Sequence, residues 1–101
     1  MPSSVYETEN LTLEDNTVIS MKPLKIANLR KFMAEFAKLE KAGNDNDKSF
    51  NILGDCVIIC LGQWVKEETT KEWVENNLDI NNYYDIIRVA SGIDMRIQGN
   101  V

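Results

Sequence analysis

The chain reads as a mainly α-helical domain carrying a small N-terminal β-hairpin, an α+β arrangement with about four helices packed around a central apolar one. Three observations predict this. Leu11, Leu13, Val18 and Met21 are spaced among polar residues on either side of Glu14-Asp15-Asn16-Thr17, the pattern of strand, turn and strand. From Ile26 the apolar period changes to steps of three and four residues, through Leu29, Phe32, Met33, Phe36 and Leu39. Further on, Ile52, Leu53, Cys56 to Leu61, Trp64 and Val65 would cover most of the circumference of a single helix.

Taken in order, residues 1–9 are polar and small apart from Val5 and Tyr6, and read as a mobile leader. The hairpin spans roughly Leu11–Met21 and needs a helix beneath its apolar face, because an isolated hairpin is marginal in water. Pro23 closes the second strand, having no N–H to give to a ladder. The first helix is expected over Ile26–Ala42 and stops at Gly43-Asn44, a left-handed C-terminal signal. Lys31, Glu35 and Lys38 fall on its outer face, where an i,i+4 charge pair adds a few tenths of a kcal/mol.

Asn46 or Asp47 can cap a second helix over about Lys48–Val65. β-branched Val57, Ile58 and Ile59 also suit a strand, but the length of the run and its flanking caps favour a helix. Such a helix is either enclosed by its neighbours or placed at a subunit interface. Gly54 and Gly62 each cost about 1 kcal/mol relative to alanine inside it. A close backbone approach, or a bend at Gly62, would account for that cost. Thr69 with Glu72 forms a capping-box pattern opening a third helix over Thr70–Leu78. A fourth, Asn82–Ser91, places Tyr83, Ile86, Ile87 and Ala90 on one side and ends at Gly92. Ile93 and Met95 then form a docked turn. Residues 10–95 thus make one domain, and 96–101 read as a flexible tail.

The 101 residues suffice for one domain, burying roughly two-thirds of the surface that the unfolded chain exposes. A net charge of −5, with basic residues scattered singly, argues against nucleic acid as a partner, since phosphate neutralisation supplies most of that affinity. Residues 1–20 lack the apolar core of a secretory signal, and the apolar run Cys56–Leu61 is far too short to cross a membrane. Two cysteines in such a chain suggest free thiols and a reducing compartment.

Catalytic chemistry is hard to find. With no histidine, the chain has no Ser-His or Cys-His nucleophile pair and no His-containing zinc site. Cys56 and Cys60 share a helix face, but no further cysteine or histidine could complete a thiolate site, so they read as small buried hydrophobes. Asp15, Asp45, Asp47, Asp79 and Asp94 fit turns and caps better than a calcium loop, which would need a terminal glutamate. The five glycines are isolated and form no phosphate loop. No enzyme and no cofactor are therefore expected. Trp64, Trp73, Tyr83, Tyr84, Ile93 and Met95 are the candidate partner-binding residues. Trp64 and Trp73 suit a core as well as an interface, and the adjacent tyrosines cannot both face inward.

The segments Leu11-Thr-Leu-Glu-Asp-Asn-Thr-Val18, Met21-Lys-Pro-Leu24 and Leu29-Arg-Lys-Phe32 resemble the opening of tail assembly chaperones from long-tailed phages of Gram-positive hosts. Tyr84-Asp-Ile-Ile-Arg-Val-Ala-Ser-Gly-Ile-Asp-Met95 is similar to that family's ending, where a last helix yields to a Gly-Ile-Asp turn. These motifs are architectural. Lys25 departs from the pattern, which would place a capping Ser or Thr there, and leaves the start of the first helix open. The resemblance implies a small, mainly helical protein of the host cytoplasm, made during tail assembly and absent from the finished virion. It implies binding to the tape measure protein and help in polymerising the tail tube protein. A frameshifted longer form of the same chain and self-association into a ring or spiral belong to the same expectation. The alternative is a small acidic phage regulator or inhibitor that binds a host or phage protein. That reading calls for carboxylates grouped on one surface, whereas in the sequence they are spread among caps and helix exteriors.

Overall fold

The computed structural model describes residues 8–98. Strands β1 (Glu9–Thr12) and β2 (Val18–Met21) pair antiparallel, with Leu11 opposite Ile19 and Glu9 opposite Met21. The turn closes through Asn16, whose φ of 71° is left-handed, a conformation asparagine tolerates better than most side chains. Its N–H donates to the Leu13 carbonyl at 2.9 Å, and the Asp15 carboxylate accepts from the Thr17 N–H at 3.0 Å. Leu11, Leu13, Ile19 and Met21 are buried. Val18, expected with the inward set, is 56% exposed instead. Side chains alternate across a strand, so the residues that share a face in β2 are Ile19 and Met21.

Two boundaries differ from expectation. β1 begins at Glu9, inside the expected leader, because Glu9 pairs with Met21. The expected tail begins within α6 (Met95–Gln98), a single helical turn. Residues 1–7 and 99–101 of those two segments lie outside the described residues.

The expected first helix divides into α1 (Ile26–Phe36) and α2 (Leu39–Ala42). At the junction the Lys38 N–H bonds Glu35, the Glu40 N–H bonds Ala37 and the Lys41 N–H bonds Lys38. These are three-residue steps, so the helix tightens into a 3₁₀ turn there. Phe32 is fully buried and stacks on Phe36 with ring centroids 5.4 Å apart, while Ile26 and Met33, also expected inside, are exposed. Gly43 ends α2 as expected, but at φ 58° and ψ −124° it lies outside the left-handed helical region that the expected stop would use, in a conformation open chiefly to glycine.

Helix α3 (Asn46–Trp64) is capped by Asp45 rather than Asn46 or Asp47, with its carboxylate accepting from the Lys48 N–H at 3.1 Å. Asp47 falls instead in the first turn, where the helix dipole favours a carboxylate. Helix α4 (Lys71–Asn77) starts one residue later than expected, because Thr70 rather than Thr69 accepts from the Trp73 N–H, at 3.1 Å. Helix α5 (Ile80–Ser91) starts earlier than Asn82: Asp79 caps it, and Asn82 Oδ1 in turn accepts from the Asp79 N–H at 2.9 Å. Gly92 ends it in the left-handed region at φ 83°.

Helix α3 is the centre of the domain, packing against α1, α2, α4, α5 and β2. From Ile52 to Leu61 none of its residues is exposed, so its apolar circumference is enclosed by the chain itself. The one charge in that run, Asp55, meets the Lys71 ammonium of α4 at 2.8 Å. Gly54 makes room for the contact, since a Cβ there would lie 3.0 Å from Lys71 Cε. The approaching group is thus a side chain, not a backbone. A Cβ at Gly62 would meet nothing within 4 Å.

Replacing the two glycines should therefore have unequal effects. Gly62→Ala should stabilise the fold by about 0.5–1 kcal/mol, because helix propensity improves with no steric cost. Gly54→Ala should gain less, because the added methyl displaces the Lys71 stem. Chemical denaturation of both variants measures the difference.

Candidate functional site

The two thiols are internal, while none of the described charged side chains is buried. Cys56 and Cys60 are free and fully buried within α3. Burial pushes the Cys56 thiol up to about 12, with the Glu35 and Asp55 carboxylates adding to it. Burial also raises Cys60, and the neighbouring Cys56 adds to that shift. A thiol held protonated in this way is a poor nucleophile and a poor metal ligand. Among the described residues, no group of three or more His, Cys, Asp or Glu is arranged to hold a metal ion. Nor is any helix among them long and apolar enough to cross a membrane.

The candidate partner-binding residues divide by position. Tyr83 is buried, and its phenol is pushed upward by desolvation and by the Glu75 carboxylate. Tyr84, next in sequence, is turned aside and half-buried, with the Arg96 guanidinium 5.5 Å from its ring centroid. Trp64, Trp73, Ile93 and Met95 are half-buried and pack against the core. The Trp64 indole N–H is buried without an acceptor among the described residues.

Other apolar side chains are more open than these: Ile26 at 65%, Phe50 at 51% and Met33 at 45%, together with Val18. Sequence reasoning missed Val18, Ile26 and Met33 as contact candidates because each fits an apolar pattern and looks like core, and it did not single out Phe50. Phe50 and Ile80 share a hollow of about 350 Å³ with Leu78 and Tyr83, rimmed by Asp47, Glu75 and Asp79. A second cleft, also about 350 Å³, opens between the hairpin turn and the α3–α4 connection. Val18, Val65 and Trp73 line it, and Asp15, Glu67 and Glu68 stand around it. Carboxylates that are scattered in the sequence are thus gathered in space. Lysines collect elsewhere, with Lys38, Lys41 and Lys48 around Ala42 and Ile52.

Polar contacts join the beginning and the end of the domain. Glu9 of β1 makes a bidentate pair with Arg88 of α5, at 2.9 and 3.1 Å. Arg96 of α6 reaches Asp85 at 3.0 Å and the Asn81 carbonyl at 3.1 Å. The Leu24 N–H donates to the Ala90 carbonyl at 3.0 Å. Lys25 does stand at the N-cap of α1, and its side chain caps nothing. Gln63 of α3 holds that junction instead. Its Oε1 accepts from the Lys25 N–H and from Asn28 Nδ2, each at 2.9 Å, and its Nε2 donates to the Pro23 carbonyl at 3.2 Å. No local sequence pattern marks Gln63 for this task.

No protein-family model matches the chain, and neither a curated protein nor a solved structure does.

Titration should report both the core and the edge. Above the ordinary thiol value of 9.0 the unfolded chain loses protons that the folded chain keeps. The stability contributed by the buried thiols is therefore complete below that value and should fall as pH rises from about 9 toward 12. Urea unfolding midpoints across that range check the direction. On the acid side, the Arg88 hydrogen bonds hold the Glu9 carboxyl below its ordinary 4.5. The contribution of this pair is present above that value and fades as pH falls through the lowered one. In an Arg88→Ala variant, a carboxyl-detected NMR titration should find Glu9 moved back up toward 4.5.

Proposed function

We propose that this chain is a phage tail assembly chaperone, a cytoplasmic binding protein that holds the tape measure protein and assists polymerisation of the tail tube protein. The observation that carries the reading is the meeting of the two segments that resemble that family. The opening, through Leu24, bonds backbone to backbone with Ala90 of the closing segment, and Glu9 just ahead of it pairs with Arg88. Segments far apart in sequence thus act as one architectural unit, as motifs of fold rather than of catalysis would.

The chemistry of the surface favours the same reading. Both thiols are buried and raised in pKa, which makes them poor nucleophiles. Exposed Ile26, Met33, Phe50 and Val18 offer apolar contact to a client. The net charge of −5 keeps such a surface soluble. The Ile52–Leu61 run of α3 is enclosed, so client contacts and any self-association, including association with a frameshifted longer form, fall to the rim, which includes Phe50 near the start of that helix. One observation favours the alternative, a small acidic regulator or inhibitor: Asp15, Glu67 and Glu68 converge on one cleft. That reading predicts capture of a folded host or phage protein instead.

Co-expression separates the two. With this chain present, the cognate tape measure protein should move from the insoluble to the soluble fraction and co-purify with it. An unchanged insoluble fraction, with no co-purification, contradicts the chaperone reading.

A further inference from the structure

We infer that the cleft between the hairpin turn and the α3–α4 connection docks a basic amphipathic segment of a partner chain, apolar side chains inward and Lys or Arg side chains on the rim. The inference deepens the chaperone reading, on which the partner's identity rests, by naming the chemistry of the client segment.

Apolar side chains make up half of the cleft's lining, with Thr17 and Thr69 among the rest. Leu61 and Ile19 are buried at its base, Val65 and Trp73 are half-buried, and Val18 is 56% exposed. Val18 thus stands open on its strand beside the half-buried Trp73, uncovered by the other described residues. The space, about 350 Å³, is at the small end of the ~300–1,000 Å³ range of clefts that hold ligands, enough for a few anchoring side chains.

The rim specifies the sign of the partner's charge. Asp15, Glu67 and Glu68 line the cleft, and no lysine or arginine among the described residues does. Lys66 is exposed in the same connection but is not part of the lining. The backbone adds to the field. Helix α3 ends at Trp64, beside this cleft, with no basic residue in its last turn. A helix C-terminus carries partial negative charge and favours cations, and the connection beyond it supplies Lys66 and then Glu67 and Glu68, of which only the two glutamates line the cleft. Lys or Arg side chains of a partner would complement that rim. An acidic or neutral segment would meet repulsion, which gives the cleft selectivity as well as attraction.

The test uses the whole chain and a synthetic peptide of leucine and lysine patterned as an amphipathic helix, with a twin carrying glutamate for every lysine. The lysine peptide should bind, more weakly at high salt, and should shift the NMR signals of Val18, Val65 and the Trp73 indole. The twin should not bind. Glu67→Gln with Glu68→Gln should lower affinity by about tenfold, since removing charged partners of this kind is costly. Glu35→Gln with Glu40→Gln removes the same charge elsewhere and should leave affinity unchanged. Val18→Thr, which keeps the β-branched shape, should weaken binding without unfolding the hairpin. Equal loss in both double variants, binding of the twin, or shifts confined to another face would overturn the inference. If the Glu67→Gln, Glu68→Gln variant solubilises the tape measure protein as well as the native chain does, the chaperone reading survives and the cleft assignment falls. If the lysine peptide binds as described but the tape measure protein stays insoluble, the cleft assignment stands without its client.

Discussion

The enclosure of helix α3 is the constraint on which the rest of the structure depends. A fully buried Leu, Val or Ile side chain contributes roughly 1.5–3 kcal/mol over its exposed state, and no other element of this chain brings so many together. Helices α1 and α5 and the short α2 and α4 are each stabilised chiefly by what they cover on α3, and β2, paired to β1, touches both α3 and α5. The hairpin could not persist alone, and α4 is only seven residues long. Even the one charge within the enclosed run is satisfied from outside: Lys71 lies across Gly54 to reach Asp55. Gly54 therefore serves a side-chain crossing rather than a backbone contact.

Around this centre, polar contacts fix the edges. Gln63 joins the last turn of α3 to the Pro23–Asn28 segment, while Arg88 and Arg96 join β1 and α6 to α5. The ion pairs are partly solvated, so each contributes modestly and is screened by salt. They set where elements sit more than how stable the domain is. The outcome is a division of labour. The interior is apolar and holds both thiols, and the rim carries exposed apolar side chains, an acidic cleft and a separate lysine cluster.

The long-range pattern of the fold was legible because it is written in periodicity. The change from alternation to three- and four-residue steps at Ile26, and the apolar run in the middle of the chain, define the hairpin, the helices and the central element. The misplaced details each involve a competition that periodicity does not record. Asp45, Asn46 and Asp47 all cap well, and so do Thr69 and Thr70, so hydrogen-bond geometry alone selects Asp45 and Thr70. The 3₁₀ turn at Ala37–Lys38 leaves no composition signal, since both residues keep right-handed helical dihedrals. Val18, Ile26 and Met33 look like core in one dimension and lie open in three. The acidic cleft was hidden for the opposite reason: Asp15 is distant in sequence from Glu67 and Glu68, and only the docking of the hairpin beside the end of α3 brings them together.

In the proposed role the central helix is scaffold and the rim makes the contacts. Hydrogen exchange of the chain, alone and in complex with the tape measure protein, tests that claim most directly. The account predicts slow exchange from Ile52 to Leu61 in both states, with new protection on binding confined to rim segments such as the hairpin turn and the α3–α4 connection. Faster exchange along α3 in the complex would contradict it, because the central helix would then be opening to offer its apolar face to the client.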